Sequence, residues 1–376
     1  MSEMIKGMDI GSLLEEEQHG ARFYDHGEEG DALEILKRYG ANYVRLRLWN
    51  NPYDRRGNAY GGGNCDLNHV IVMAQRAKEL GMGVLLDLHY SDHWADPGKQ
   101  TAPKDWQGLY GEELGMAVRM YTVGVMAELK NRGAAPDMVQ VGNELTNGLI
   151  WPAAKRPHFD RIAACVSEGI RGVRRVDPDV PVMLHLDDGG NNAMYREWFD
   201  EYCKTGEDFQ IIGMSYYPFW HGTLDELSFN MKDMAQRYGK KIVIAEVSAG
   251  FSLEDYRPRE VPQDVEEGKR EEWIRRNLKG CAAGPELASK IPWPMTPQGQ
   301  SDFMREFLKR VRQEQQALGF FYWEPAWIPV PGVGWSTQEG VEYTGETGPF
   351  GNEWANQALF DYDGNALPAL EVIRDC

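Results

Sequence analysis

The chain alternates short apolar runs with longer segments of helical periodicity. The short runs have the composition of buried strands, and in the segments that follow them apolar residues recur every three or four positions, as on one face of a helix. The predicted strands are 5–10, 43–49, 84–89, 138–141, 182–186, 209–217, 242–247 and 320–324. The predicted helices are 31–39, 67–80, 114–130, 159–176, 194–203, 224–237, 301–318 and 367–373.

This alternation predicts an α/β fold, a single (β/α)8 TIM barrel that spans residues 1–376 as one domain. Parallel neighbours need a crossover connection of this length, and the sequence has no hairpin signals between the predicted strands. Two long segments, 251–300 and 325–365, follow the seventh and eighth strands. Loops at this end of a barrel carry the active site, so we expect both segments to wall a substrate groove.

Two of the predicted strands end on a glutamate. In DMVQVGNELT (137–146) the apolar run ends at Asn143 and Glu144, and in KIVIAEVS (241–248) it ends at Glu246. The fourth and seventh strands lie on opposite sides of an eight-strand ring, so both carboxylates can face one cleft. Hydrolysis of an acetal needs such a pair, as acid and base or as acid and nucleophile.

Other polar side chains follow the predicted strands. Taken singly, each is most simply a hydrogen-bonded residue at a strand end, but together they indicate one site. Alternation along the second strand places Arg45 and Arg47 on the same face, where either could keep a carboxylate ionised. An ion pair that only stabilises the barrel is the alternative for both. Asn143 is expected to donate to a substrate hydroxyl.

Aromatic residues are frequent, with 12 Trp and 17 Tyr. Flat rings with polar edges suit the faces of sugars, although many of these rings must fill the core. Trp94, Trp220 and either Trp327 or Trp335 follow strand ends, and we expect them to stack on sugar rings unless they are loop anchors. The residues assigned to substrate binding are Arg45, Asp87, His89, Trp94, Asn143, Tyr217, Trp220 and Trp323.

Composition excludes several function classes. The net charge of −18 argues against nucleic acid and anionic membranes as partners. No apolar stretch approaches the ~20 residues of a membrane helix, and the N-terminus lacks the apolar core of a secretory signal. We therefore expect a monomer that is cytoplasmic as written, or secreted if a signal has been removed.

No metal or other cofactor is predicted. The five Cys are scattered without ligand spacing. His89 and His93 lie four residues apart in a loop rich in Asp and Pro, not on a helix face, so a zinc hydrolase is a weaker alternative than a sugar-binding or structural role.

Long motifs then indicate a family. The stretches YVRLRLWNNPYD, GNAYGGGNCDL, LLDLHYSDHWADPGKQ, PDMVQVGNE, IIGMSYYPFWHG, FYWEPAWIPV and NQALFDYDGNALPAL resemble glycoside hydrolase family 53, the arabinogalactan endo-β-1,4-galactanases. The resemblance covers almost the whole chain. It implies a retaining enzyme in which Glu144 is the acid/base and Glu246 the nucleophile. It also implies a cis peptide bond between Trp323 and Glu324 that lays Trp323 under the sugar.

The sequence departs from the family pattern in three places. The segment 251–300 lacks the alternating Asp ligands with which some bacterial members hold calcium, so we expect none. AEVSAGF replaces the usual Glu-Thr after the seventh strand. Without a signal the substrate could be short galacto-oligosaccharides rather than galactan. Two alternatives to a galactanase remain, a related enzyme acting on another β-1,4-glycan and a catalytically silent carbohydrate-binding barrel.

Overall fold

The computed structural model describes residues 4–376, and at its centre eight parallel strands form a closed barrel. The first strand pairs with both the second and the last, which closes the ring. In chain order the strands are β1 Ile5–Asp9, β2 Tyr43–Leu48, β3 Gly83–Leu88, β4 Met138–Val141, β5 Val182–Leu186, β6 Ile211–Tyr216, β7 Lys241–Val247 and β8 Ala317–Trp323. The predicted TIM-barrel fold is confirmed.

The helices are α1 Leu13–Gln18, α2 Ala32–Arg38, α3 Leu67–Glu79, α4 Gly111–Asn131, α5 Phe159–Val176, α6 Asn192–Tyr202, α7 Leu224–Tyr238, α8 Arg270–Asn277, α9 Pro285–Ala288, α10 Pro297–Gln313, α11 Gln338–Thr344 and α12 Ala369–Arg374. Of these, α8, α9 and α11 lie within the two long segments beyond the strand ends. Short 3-10 turns lie at Lys104–Trp106, Leu145–Asn147, Arg257–Glu260, Glu267–Lys269 and Ala355–Gln357. No helix within residues 4–376 combines the length and apolar character needed to cross a membrane.

Inward-facing strand residues form a core of their own inside the barrel. Its members are Ile5, Leu85, Met138, Met183, Ile211, Val243, Ala245 and Phe321. The Phe321 ring occupies the space that a side chain on Gly7 would need, since a Cβ there would lie 2.2 Å from Phe321 Cδ1. The Phe321 ring fills the barrel interior, and the absence of a side chain on Gly7 leaves room for it without overpacking.

Several predicted boundaries were wrong. The helix predicted at 301–318 is α10, Pro297–Gln313, which begins at a Thr296 cap and ends before the final strand. Ala317 fits the helical spacing, but it pairs with Ile242 of β7 and therefore belongs to β8. The sequence also missed two small antiparallel hairpins outside the barrel, Phe23–Asp25 with Glu28–Gly30 and Gly148–Leu149 with Ala154–Lys155.

The two long segments contact each other beyond the strand ends. Phe251 N donates to Asn356 O at 2.9 Å, and Ala282 N donates to Glu353 O at 2.8 Å. Asn352 N donates to the buried Glu260 at 3.1 Å. These contacts join segments 251–300 and 325–365 into one continuous wall above the barrel.

We expect Gly319→Ala to destabilise the protein by roughly 3 kcal/mol or more, because the position combines positive φ with a close approach of backbone. Gly319 lies in β8 at φ +146°, and a Cβ there would stand 2.0 Å from Ile5 O. The measurement is the urea midpoint of unfolding.

Gly124→Ala is the matched control, since Gly124 is exposed in α4 and a Cβ there meets nothing within 4 Å. It should raise the free energy of unfolding by about 0.5–1 kcal/mol, as alanine does in a helix interior. If Gly319→Ala and the unmodified protein unfold at the same urea concentration, the close approach between Gly319 and Ile5 O is contradicted.

Candidate active site

A cleft of about 210 Å³ opens at the carboxyl ends of the strands. Of the residues predicted for the site, it is lined by Arg45, His89, Trp94, Asn143, Glu144, Tyr217, Trp220, Glu246 and Trp323. Asp87 lies beneath it with a fully buried side chain, so it contacts Arg45 and His89 and does not reach the cleft. A larger groove of about 650 Å³ lies between α10 and α12, away from the strand ends.

Glu144 stands where the backbone turns sharply after β4. Gly142 has φ +80° and Glu144 itself φ +45°, a left-handed conformation that is uncommon for a residue with a side chain. Its Oε1 is hydrogen-bonded to Ser215 Oγ on β6 at 2.6 Å. The left-handed backbone is the local cause of the direction in which this carboxyl group points.

Glu246 receives two hydrogen bonds. Arg45 Nη1 donates to Oε1 at 2.9 Å, and the Tyr217 hydroxyl donates to Oε2 at 2.7 Å. A register shift between Met214 and Ser215 places Ser215 opposite Glu246, so both carboxylates are held from the same stretch of β6 and its continuation. Bonds to a charged donor stabilise the ionised form of a carboxylate.

The two carboxyl groups therefore differ in acidity. Burial raises the pKa of Glu144 well above its ordinary value, and the negative charges of Glu246 and Asp187 raise it further. Burial also raises the pKa of Glu246, to about 7, but Arg45 and Tyr217 oppose that rise. Of the pair, Glu246 loses its proton first, and Glu144 keeps its proton to higher pH.

An oxygen of Glu144 lies within 4.8 Å of an oxygen of Glu246. His185 offers a ring nitrogen within the same distance, so three possible metal ligands meet here. All three are already hydrogen-bonded, and a cation beside Glu246 would face the Arg45 guanidinium. The arrangement suits proton transfer and nucleophilic attack better than it suits a metal.

His89 and His93 do not form a metal site. His89 Nε2 bonds Asp87 at 3.0 Å, and its Nδ1 accepts from Trp49 Nε1 and Ala95 N, each at 3.2 Å. Both ring nitrogens of His89 are thereby occupied. The His93 ring packs against Trp49, with ring centroids 4.8 Å apart, as a buried part of the core.

Aromatic rings form much of the cleft. Trp94 stacks on Trp335 with centroids 4.4 Å apart and donates Nε1–H to Trp335 O at 2.8 Å. Trp335, and not the fully buried Trp327, therefore reaches the cleft. Trp354 meets Trp323 edge to face at 4.6 Å. Sequence reasoning missed Trp354, because it lies deep in segment 325–365 with no strand beside it to signal its position.

The expected cis bond between Trp323 and Glu324 was wrong. Within residues 4–376 the cis peptide bonds precede Pro152, Pro157 and Pro349. The chain turns after β8 at Glu324, which has φ +51° and whose carboxylate is held by Arg47 and Ser12. Arg47 thus forms the structural ion pair that was the alternative for it, whereas Arg45 reaches Glu246.

Comparison with known proteins places this geometry in context. The model of glycosyl hydrolase family 53 matches residues 5–373. An endo-β-1,4-galactanase of Bacillus subtilis (strain 168) is 36% identical over 99% of this chain and 86% of that protein. An arabinogalactan endo-β-1,4-galactanase of Humicola insolens is 32% identical over 98% of each chain. The solved GH53 catalytic domain of Ignisphaera aggregans has a TM-score of 0.86 at 38% identity, covering 99% of this chain and 95% of that one.

Proposed function

The chain belongs to glycosyl hydrolase family 53 and is a glycoside hydrolase, and on that premise we propose that it cleaves β-1,4-galactan or its oligosaccharides by endo attack with retention of configuration. The names of the Bacillus and Humicola relatives support the substrate. The observation that carries the mechanism is the pair of carboxyl groups, Glu144 and Glu246, with oxygens within 4.8 Å of each other. Retaining enzymes hold their carboxyl groups about 5–5.5 Å apart, whereas inverting enzymes leave roughly 6.5–9.5 Å for a water.

The first step forms a covalent intermediate. Glu246 Oε2 or Oε1 attacks the anomeric carbon while Glu144 donates its proton to the leaving glycosidic oxygen. The bond from carbon to the leaving oxygen breaks as the bond to Glu246 forms. Arg45 and Tyr217 favour the ionised form of Glu246 and orient it for this attack.

The second step returns the enzyme to its starting state. Glu144, now ionised, takes a proton from water as the water oxygen attacks the same carbon and Glu246 leaves. Two inversions give net retention. The proton gained by Glu144 replaces the one given to the leaving group, so the residues end the cycle as they began.

Aromatic rings supply the sugar-binding surface. Trp220, which is 44% exposed, lines the cleft together with Trp323 and Trp354. Apolar faces of galactosyl rings stack on such surfaces. Endo attack requires that further sugar units of the chain lie beyond this cleft, and the names of the relatives support that mode of attack.

Product analysis tests substrate and stereochemistry together. We expect unbranched β-1,4-galactan, galactotetraose and galactotriose to be cleaved, with the β-anomer appearing first by NMR. Cellulose, xylan and mannan oligomers should be cleaved at least about 100-fold more slowly, because polar groups that hydrogen-bond the hydroxyls of one sugar are left unpaired by another. An α-anomer as first product would exclude double displacement, and preferential cleavage of another glycan would exclude galactan as the substrate.

Glu246→Ala should lower kcat by at least about 10⁴-fold, because no covalent intermediate can form. Azide should restore turnover of an aryl β-galactobioside and give the α-glycosyl azide, since it enters the space that the carboxylate leaves. Glu144→Ala is the matched control, in which azide attacks the covalent intermediate and gives the β-azide. The reverse pattern, the β-azide from Glu246→Ala and the α-azide from Glu144→Ala, would show that the two roles are assigned wrongly.

Trp220→Ala should raise KM on galactan several-fold with kcat little changed. A ring that stacks on a sugar away from the cleaved bond stabilises the ground and transition states equally. Phe229→Ala is the control, because Phe229 is 59% exposed on α7 and lies outside the cleft. If Trp220→Ala leaves KM unchanged while the protein is folded by circular dichroism, Trp220 is only a loop anchor.

A further inference from the structure

A buried chain of hydrogen bonds connects Arg45 to the acid/base through three side chains. Arg45 Nη2 lies 2.8 Å from Asn143 Oδ1, and His185 Nδ1 lies 2.9 Å from the same oxygen. His185 Nε2 lies 2.9 Å from Ser215 Oγ, which lies 2.6 Å from Glu144 Oε1. His185 and Ser215 are fully buried and do not line the cleft.

The direction of this chain is fixed at the Asn143 amide. Its Oδ1 accepts from Arg45 and from Gln140 Nε2 at 3.0 Å, and its Nδ2 donates to Ala95 O at 2.9 Å. Turning the amide over would aim its N–H groups at the Arg45 guanidinium and its oxygen at a carbonyl. The atom that faces His185 is therefore an oxygen that carries no hydrogen.

That oxygen determines the tautomer of His185. His185 Nδ1 lies 2.9 Å from Asn143 Oδ1 and 3.2 Å from Gln140 Nε2. The two hydrogens of Gln140 Nε2 have closer acceptors, among them Asp87 Oδ1 at 2.7 Å and Gly142 O at 3.0 Å, so Nδ1 carries the ring proton and donates it to Asn143 Oδ1. Burial, and then the charge of Arg45, lower the pKa of His185 well below its ordinary value, so the ring is neutral and has one such proton. Nε2 is therefore an acceptor.

The tautomer in turn determines the role of Ser215. Its single hydroxyl proton is donated to His185 Nε2, so Ser215 Oγ can only accept from Glu144. A contact of 2.6 Å between Ser215 Oγ and Glu144 Oε1 is then a hydrogen bond if Glu144 carries the proton.

We propose that His185 and Ser215 are positioning residues whose hydrogen bonds, directed by Arg45 and Asn143, hold Glu144 in its protonated form in the free enzyme. The inference rests on the proposed function, because it assigns Glu144 the part of the acid. The chain orients a proton that Glu144 delivers to the leaving oxygen. No proton passes through His185.

The same chain strengthens Glu144 as a base in the second step. Once Glu144 is ionised, Ser215 must turn its proton toward Glu144 Oε1, because two acceptors otherwise face each other at 2.6 Å. With the His185 proton still on Nδ1, the bare Nε2 then faces the Ser215 oxygen at 2.9 Å with no hydrogen between them. Taking a proton from water removes this repulsion, so the arrangement favours the return of Glu144 to the acid form.

The direction in which Ser215→Ala shifts the pKa of Glu144 shows whether the Ser215 hydroxyl accepts a hydrogen bond from Glu144 or donates one to it. A Ser215 hydroxyl that donates to Glu144 lowers the pKa of the carboxyl group, and one that accepts from it raises that pKa. The titratable and charged groups facing Glu144 are Glu246, Asp187 and Asp96, and those facing His185 are Arg45, His89 and His221. Ser215→Ala leaves all of them in place.

The test is the pH profile of kcat/KM for Ser215→Ala. Activity is lost at high pH as Glu144 gives up its proton, so removing an acceptor should move this upper limb to lower pH, by about one unit. Ser248→Ala is the matched control, because Ser248 is equally buried just after β7 and bonds Gln357 Oε1 at 2.8 Å. An upper limb that stays in place or moves to higher pH would overturn the proposal.

A second measurement needs no turnover. In protein labelled with ¹⁵N-histidine, the His185 signals, assigned by their absence in His185→Gln or by their shift in Ser215→Ala, should be those of the Nδ1–H tautomer. An Nε2–H tautomer would contradict the proposal even if the enzyme is a galactanase. If His185 is the Nδ1–H tautomer but the azide experiment fails, the proposed function is contradicted and the assignment of the hydrogen bonds is not.

Discussion

The buried guanidinium of Arg45 is the interaction on which the rest of the site depends. From β2 it reaches carboxylates of Asp9 on β1, Asp87 on β3 and Glu246 on β7. A cation taken out of water is costly unless its donors are all satisfied, and here the partners come from neighbouring and opposite strands. The closed barrel is what brings them within reach, so the fold and the charge network require each other. Removing one partner would leave unbalanced charge in the interior.

Arg45 also explains why two buried glutamates can act differently. It bonds Glu246 directly, whereas it reaches Glu144 only through Asn143, His185 and Ser215. A direct ion pair favours a carboxylate, and an indirect chain of neutral groups can favour a carboxylic acid. An arginine in contact with both would ionise both and leave no proton to donate. The separation of roles follows from the distance of each glutamate to one cation.

The sequence predicted the elements whose signals are local. Apolar runs located all eight strands, and the abrupt polar ends of two of them led to Glu144 and Glu246, which line the same cleft. What it missed depends on contacts between distant parts of the chain. Ser215 faces Glu144 because of a register shift between β6 and β7, and Trp354 reaches the cleft because segment 325–365 folds back over the barrel. Asp87 fits its predicted strand end, but only the structure shows it beneath Arg45.

The aromatic walls of the cleft are connected to the charge network around Arg45. Trp94, from the loop after β3, is clamped between the Trp335 ring and the Arg47 guanidinium, which lies 4.3 Å from its centroid. Arg47 is in turn paired with Glu324 at the end of β8. The aromatic wall is therefore tied to the barrel by a charge network beside that of Arg45, and Arg47 lies 3.8 Å from Asp9, a partner of Arg45. Both charge networks contact the same buried carboxylate, Asp9, so the aromatic rings have a fixed position relative to Glu246. In the proposed function, a sugar that stacks on these rings is thereby also positioned against Glu144 and Glu246.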